Sequence, residues 1–499
     1  MALNQSFYLS LITILATVFY VAFAAITQNI IMLSAPIGAL LLIVSIKLPR
    51  LIGYMFILSS INFLGFFNPE TIFHIPGAFK FIDLLYAGLL LVYIIDVLHK
   101  KDRTKLISHS AKVIPVIGIS LLILVAVQII ITTIRFELPM LSSIKVGRNY
   151  LYFFFLFYLI RFFNTERLQR QLISFVFLIS LIQFSLLILQ QLGINPAAST
   201  LIRTLEIGES SVTRVYIPGY FYSLLTLATC LAFLCSSIKY KRNIIFFVLI
   251  FTAIASILLS YTRTYWVSAA LVFLLCFFLS DKNNKTSRLI YTLMAAVPII
   301  IFLSAFNFSS NLLERFLSIF SDIASGDGNF IYRFTENPRR IEAFLNYPLL
   351  GPGFVHSDYA AQLFNFTVNT SGKSDEAIQR ALLLQTNDSG LITLLVSFGV
   401  IGVLGVLYKI YNILAIYKRS KSYVSSASRT VILGSVSFII ATWMTCATTY
   451  GFTYPDGLVS LTIALYFIYS TCALSRHSRS NNNPLGFRLL PNTNSLQTP

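Results

Sequence analysis

The sequence predicts an all-α, polytopic bundle of transmembrane helices with one large, partly helical external loop, and three observations carry that expectation. Apolar residues make up 56% of the 499-residue chain and charged residues only 11%, whereas a soluble globular chain carries about a quarter charged residues. The mean hydropathy is +0.77. The apolar residues fall in runs long enough to cross a bilayer, and the longest interruption is one polar stretch from about Phe306 to Thr386.

Fourteen spans are expected, at about 7–26, 30–46, 51–67, 81–98, 113–134, 149–163, 172–192, 216–238, 244–260, 264–280, 289–306, 388–411, 430–450 and 457–474. The sixth is short and meets the seventh through the charged Arg161 to Arg170 connection, so a count of 12–14 brackets the bundle. Met1 to Ser6 carries no basic cluster, and no small-residue cleavage site follows, so the first apolar stretch reads as a retained span. Four regions result: 1–306, the N-terminal part of the bundle; 307–387, the large extracytoplasmic loop with short helices; 388–474, the C-terminal helices; and 475–499, a disordered tail.

Lysine and arginine set the orientation. Of these residues, 24 fall on the side of the termini and 13 on the other, and six of the 13 lie in the long loop, which carries little topological weight. The remaining 24 against 7 puts both termini in the cytoplasm and the loop outside. The net charge of +18 is spread over many short loops, so topology and anionic lipid account for it without nucleic acid. The five cysteines fall in or beside apolar spans and show neither a disulfide framework nor metal-ligand spacing.

The two sides differ in the kind of basic residue. The terminal side holds 12 Lys and 12 Arg, against 3 Lys and 10 Arg on the other: Arg135, Arg148, Arg203, Arg214, Arg263, Arg315, Arg333, Arg339, Arg340 and Arg380. Arginine presents a planar fork that grips phosphate oxygens in pairs, so an arginine-rich outer face points to an anionic ligand such as a phosphate or pyrophosphate. Snorkelling to lipid phosphates is the competing explanation.

Two segments focus that argument. Within the loop, 337–348 reads as a short helix with Asn337 as N-cap, Pro338 at the first helical position and a stop before Pro348. Its apolar stripe is Ile341, Phe344 and Leu345, which leaves Arg339 and Arg340 able to turn towards a ligand or towards lipid headgroups. The second segment is Ser260-Tyr261-Thr262-Arg263-Thr264-Tyr265-Trp266, a polar knot between two spans with almost no loop. It holds Arg263 at the interface, with Tyr261, Tyr265 and Trp266 as an aromatic belt.

These residues resemble the bacterial O-antigen ligase and Wzy-type polymerase superfamily. Thr262-Arg263-Thr264-Tyr265-Trp266 is similar to its Thr/Ser-Arg-x-x-Trp hairpin. Arg340, the short helix after it and Pro348-Leu349-Leu350-Gly351-Pro352-Gly353 resemble the arginine and Pro-Leu-x-Gly-x-Gly pattern of its large periplasmic loop. Asn387-Asp388-Ser389-Gly390-Leu391, running into Gly399-Val400-Ile401-Gly402, resembles the His-Asn-x-x-Leu and Gly-x-x-Gly pattern that opens the next span. The resemblance covers about 240–410 and implies a GT-C-like architecture in the bacterial inner membrane.

It also implies a reaction: a glycan moves from an undecaprenyl-pyrophosphate-linked donor to a glycan hydroxyl acceptor at the outer face, with no cofactor and no metal. Arg263 and Arg340 match family positions that contact the pyrophosphate and are the implied catalytic arginines. Asp388 joins them as a candidate catalytic residue of this sequence, and Arg339 and Arg333, chosen because they lie near by, with Asn387, are the candidate substrate-binding residues. A flippase and a chain-length regulator are the implied partners. One departure bears on the reaction, because ligases place a histidine before the asparagine and Thr386 stands there instead. Threonine is no base near neutral pH, which leaves Asp388, Glu336 or His356 as substitutes. The expectation is therefore a polymerase of lipid-linked repeat units for a surface polysaccharide. A ligase of the same superfamily is the alternative, and a flippase of lipid-linked sugars is the alternative from another class. Against the flippase, spans such as 81–98 and 244–260 carry no charge near the midplane, where transport sites lie.

Overall fold

The computed structural model describes residues 47–61, 81–99, 109–191, 203–206, 213–216, 219–235, 243–260, 262–280, 329–364, 384–385, 389–420, 422, 424–447 and 454–480. The expected spans at 7–26, 30–46 and 289–306 lie outside these residues, as does most of the tail.

The chain is an all-α membrane bundle. Its helices are α1 (Pro49–Ser60), α2 (Phe81–His99), α3 (His109–Phe136), α4 (Met140–Leu151), α5 (Phe155–Phe162), α6 (Glu166–Gln191), α7 (Tyr220–Leu234), α8 (Asn243–Leu259), α9 (Arg263–Leu279), α10 (Asn329–Leu345), α11 (Ser357–Leu363), α12 (Gly390–Ser420), α13 (Ser426–Met444) and α14 (Pro455–Ser480). Among the described residues, α2, α3, α6, α12 and α14 are long and apolar enough to cross a membrane, and α7, α8, α9 and α13 are shorter apolar helices. One antiparallel hairpin, Arg203–Glu206 paired with Thr213–Tyr216, interrupts the helices between α6 and α7.

The core forms around α7 and α14. Tyr220 to Phe233 is buried on every face, as expected of a helix that is hydrophobic all round. It packs against α6, α8, α9, α13 and α14, while α14 also reaches α3 and α5. Short hydroxyl side chains let these helices approach closely. Thr229, Ser256, Thr445 and Thr462 each return a hydrogen bond to a carbonyl four residues back, so no hydroxyl faces the apolar interior unpaired at these positions.

The expected sixth span at 149–163 is corrected: the helical run begins at Met140 and reaches Phe162 through a 3-10 turn at Tyr152–Phe154. Hydropathy misses its first half because Ser142, Ser143, Lys145 and Arg148 lower it there, and one of these, Arg148, has a partner on α2. Arg148 Nη1 meets Asp83 Oδ2 at 3.1 Å, and Tyr152 donates to Asp83 Oδ1 at 2.7 Å. At the other end of the same two helices, Arg161 Nε donates to Asp96 Oδ2 at 2.6 Å. Asp96 follows Asp83 by 13 residues and Arg161 follows Arg148 by 13, so α2 and the α4–α5 run lie side by side and parallel, pinned at both ends. That spacing corresponds to about 20 Å of helix.

Candidate active site at the junction of loop and bundle

The helix α12 is broken at Gly399, whose φ of 64° and ψ of −167° are open only to glycine. A break inside a membrane span exposes amides and carbonyls that hydrocarbon cannot satisfy. Here the loop satisfies them. Val400 and Ile401 donate to the carbonyls of Pro348 (3.0 Å) and Leu349 (3.2 Å), and Gly353 donates back to Val396 O at 2.9 Å. The close approach accounts for the glycines: a Cβ on Gly399 would strike Leu349 O, one on Gly351 would strike Val396 O, and one on Gly353 would strike Thr132 Oγ1. Gly351 and Gly353 also have positive φ, 72° and 94°.

The loop-side end of α3 completes the junction. Gln128 Nε2 donates to Leu350 O at 2.9 Å, Thr132 Oγ1 accepts from Phe354 N at 3.0 Å, and Arg135 Nη1 donates to Gly351 O at 2.7 Å. The Arg135 guanidinium also lies 4.5 Å from the Tyr347 ring. From the far end of the loop, Gln385 Nε2 donates to Gly353 O at 2.9 Å. Phe354 is fully buried, with Tyr150 and Phe398 at ring distances of 5.6 and 5.4 Å and Gly147 leaving room for it. The segment from Pro348 to Phe354 is therefore fastened to α3, α4 and α12 together.

The loop helix that leads into this segment departs from expectation at its start. α10 begins at Asn329, so Asn337 is no N-cap and Pro338 lies inside the helix. An interior proline removes one backbone hydrogen bond and crowds the carbonyl four residues back, at a cost of about 3 kcal/mol, so packing must hold the turns on either side of Pro338. The end agrees: the helix stops at Leu345, and Gly351 N closes the following turns onto Tyr347 O at 2.7 Å. The buried face is also different. Ile341 and Leu345 are exposed, while Ala343 and Arg340 turn inward.

Arg340 is 1% exposed, the largest of the fully buried side chains among the described residues. An arginine that touched lipid headgroups would keep its guanidinium at the surface. Arg340 therefore does not serve as a headgroup anchor. Its helix packs on α12, and its neighbour Ala343 joins Leu138, Val355, Ala360, Leu384 and Val396 in one apolar cluster beneath the loop. Arg339, one residue earlier, is half-buried.

Arg263 opens α9 directly after a turn of three residues from the end of α8. Thr262 offers no side-chain cap; its hydroxyl donates back to Ser260 O at 3.1 Å. A half-buried cation thus stands beside the positive end of a helix dipole, an arrangement that favours an anion at the same place. Of the expected aromatic belt, Tyr265 is corrected: it is buried and stacks on Tyr220 with ring centres 3.4 Å apart, while Trp266 is half-buried and its Nε1 donates to Ile257 O at 3.2 Å. Tyr261 lies outside the described residues. The hairpin connects to the junction through Thr445–Ala447, which touches both α9 and α12, with Ser268 donating to Thr445 Oγ1 at 3.0 Å.

The other expected site residues divide into two groups. Thr386, Asn387 and Asp388 fall outside the described residues, between Gln385 and the Ser389 hydroxyl that accepts from Ile392 N at 3.4 Å. The side chains of Arg333 and Glu336 also fall outside, although both residues belong to α10. His356 has a structural place: it caps α11 by accepting from Asp358 N at 3.4 Å. Arg135 and Arg148, counted in the outward arginine excess, are held by Gly351 O and Asp83. Gln128, Thr132, Arg135 and Gln385 were not anticipated, since each acts across a separation of 32 to 222 residues.

The fold and the junction define a multi-pass membrane protein whose helical loop is docked onto a broken span. Residues 245–407, about a third of the chain, match the family model described as O-antigen ligase. That match takes in the Arg263 hairpin, α10 with Arg340, the glycine-rich segment and the break at Gly399. A search of curated proteins found no match.

Proposed function

We propose that this chain is a polymerase of undecaprenyl-pyrophosphate-linked oligosaccharide repeat units, acting at the outer face of the bacterial inner membrane. The hydroxyl oxygen of an acceptor sugar attacks the anomeric carbon of the donor glycan. The bond from that carbon to the pyrophosphate oxygen breaks, and lipid pyrophosphate leaves with the electron pair. The acceptor proton passes to a base, for which Asp388 is the candidate, or to solvent.

Developing charge on the pyrophosphate is the main electrostatic demand of such a step. Fixed guanidinium groups meet it by paired hydrogen bonds that strengthen as the charge grows. Arg263 and Arg340 are the proposed groups, with Arg339, Arg333 and Asn387 as substrate contacts. The observation that carries the reading is the burial of Arg340 at 1% exposure in a loop helix fastened to the bundle, which fits a positioned charge and not a surface anchor. A side chain so enclosed presents no surface to a ligand, so donor engagement requires α10 to move relative to the bundle.

A second reading, O-antigen ligase with an acceptor such as lipid A core, is favoured by the description of the matching family. Thr386 in place of a histidine base favours the polymerase. The test is purified protein in liposomes given lipid-linked repeat units alone. A ladder of longer products supports the polymerase, and transfer only when lipid A core is added supports the ligase.

A further inference from the structure

At the end of the bundle away from the loop, a cavity of about 580 Å³ opens between the start of α1, the end of α2 and the end of α5. Four basic side chains line it, Lys47, Arg50, His99 and Arg161, with Asp96 and Asn164. Asp96 neutralises Arg161 through a 2.6 Å ion pair and also accepts from Arg161 Nη2 through its backbone carbonyl at 3.3 Å, which leaves Lys47 and Arg50, among the described residues, as the uncompensated cations of the cavity. Arg50 lines the cavity and donates through Nε to Phe162 O at 3.3 Å; among the described residues no hydrogen bond is made by its two terminal nitrogens. Lys47 and His99 are exposed beside it. The rest of the wall is apolar, with Leu51, Ile95 and Phe162 among its members.

We propose that this cavity binds a phosphate-bearing anion, with the phosphate on Arg50 and Lys47 and Arg161 held behind them. Basic residues that serve topology alone lie spread over open surface. Here they converge on one concavity, and one of them is fixed by a carboxylate. The apolar wall beside the charges fits the phosphodiester of an anionic lipid whose chains continue along α1 and α2, while a free phosphate would use the polar half only. This site lies on helices outside the matched family domain, so it stands or falls separately from the proposed glycan transfer.

The test uses the purified full-length chain in detergent and three probes: dioctanoyl phosphatidylglycerol, dioctanoyl phosphatidylcholine and inorganic phosphate, each followed by native mass spectrometry or thermophoresis. Phosphatidylglycerol is expected to bind more tightly than phosphatidylcholine. The double variant Lys47→Gln/Arg50→Gln should weaken it by about tenfold or more, the loss expected for charge-assisted hydrogen bonds. Leu51→Glu, which adds a carboxylate at an exposed part of the rim, should do the same by an independent route. Inorganic phosphate binding with the same sensitivity would assign the site to a soluble anion. Equal affinities in wild type and both variants for all three probes would overturn the proposal.

Discussion

The amide of Gly353 donates to the carbonyl of Val396 at 2.9 Å, which joins the glycine-rich segment of the loop to the break in α12 as one backbone unit. Each needs the other. The broken helix supplies groups that hydrocarbon would leave unpaired, and the loop gains a rigid seat at the end of a membrane span.

Substitution of the three junction glycines should therefore be far more damaging than substitution of a glycine elsewhere in the same helix. Gly353→Ala and Gly399→Ala each force a Cβ into a close backbone or side-chain contact at positive φ, at a cost of about 3 kcal/mol or more. Gly405→Ala, with nothing within 4 Å of the added atom, should be neutral or stabilising by about 0.5–1 kcal/mol. Thermal unfolding in detergent, monitored by size-exclusion or tryptophan fluorescence, ranks the three. Equal midpoints would show that the docking seen here does not bear on stability.

Arg135 holds the loop through Gly351 O and the Tyr347 ring and is expected to act on the site through the loop. Losing its bond to Gly351 O and its stacking on Tyr347 should cost about 1.5–3 kcal/mol. Arg135→Lys keeps a donor and a charge, so it should recover a large part of both stability and activity. A lysine variant as inactive as alanine, at full stability, would move Arg135 into direct contact with substrate.

The two Asp–Arg pairs that pin α2 to the α4–α5 run should show coupling in double-mutant cycles. Asp96→Asn and Arg161→Gln are each expected to destabilise by about 1–3 kcal/mol, and the double variant by less than their sum. Strict additivity in unfolding midpoints would mean the pair contributes nothing as a pair.

Movement of α10 is open to hydrogen exchange. If donor binding lifts the loop helix to reach Arg340, amide protection across 337–345 should fall when undecaprenyl-pyrophosphate-linked substrate is added, while protection in α7 stays constant. Unchanged protection in both regions at saturating substrate would contradict the movement.

Much of this architecture was legible in the sequence because hydropathy and charge act locally. Among the described residues, α2, α3, α8, α9 and α14 fall close to where apolar runs place them, and the Pro-Leu-x-Gly-x-Gly segment stood out by its resemblance to a family pattern. What could not be read was long range. Nothing local says that Arg340 turns inward while Ile341 turns out, because the choice depends on the cluster around Leu138 and Val396 that only the folded bundle assembles. Pro338 misled because a proline suits the first helical position, and only packing keeps α10 helical on both sides of it. The equal spacing of 13 residues in Asp83–Asp96 and Arg148–Arg161 was present in the sequence as a signal of two paired helices. It passed unread, because hydropathy started the sixth span one residue after Arg148.

The central claim is that Arg340 and Arg263 hold the pyrophosphate of the donor by paired hydrogen bonds, and lysine substitution tests it most directly. Polymer formation from lipid-linked repeat units would be measured with purified wild type, Arg→Lys and Arg→Ala proteins at matched amounts and matched unfolding midpoints. Lysine keeps the charge and loses the fork, so each Lys variant should lose activity nearly as far as its Ala counterpart, about a hundredfold or roughly 3 kcal/mol in the transition state. Wild-type rates in both Lys variants would contradict the paired geometry, and wild-type rates in both Ala variants would remove these two arginines from the site.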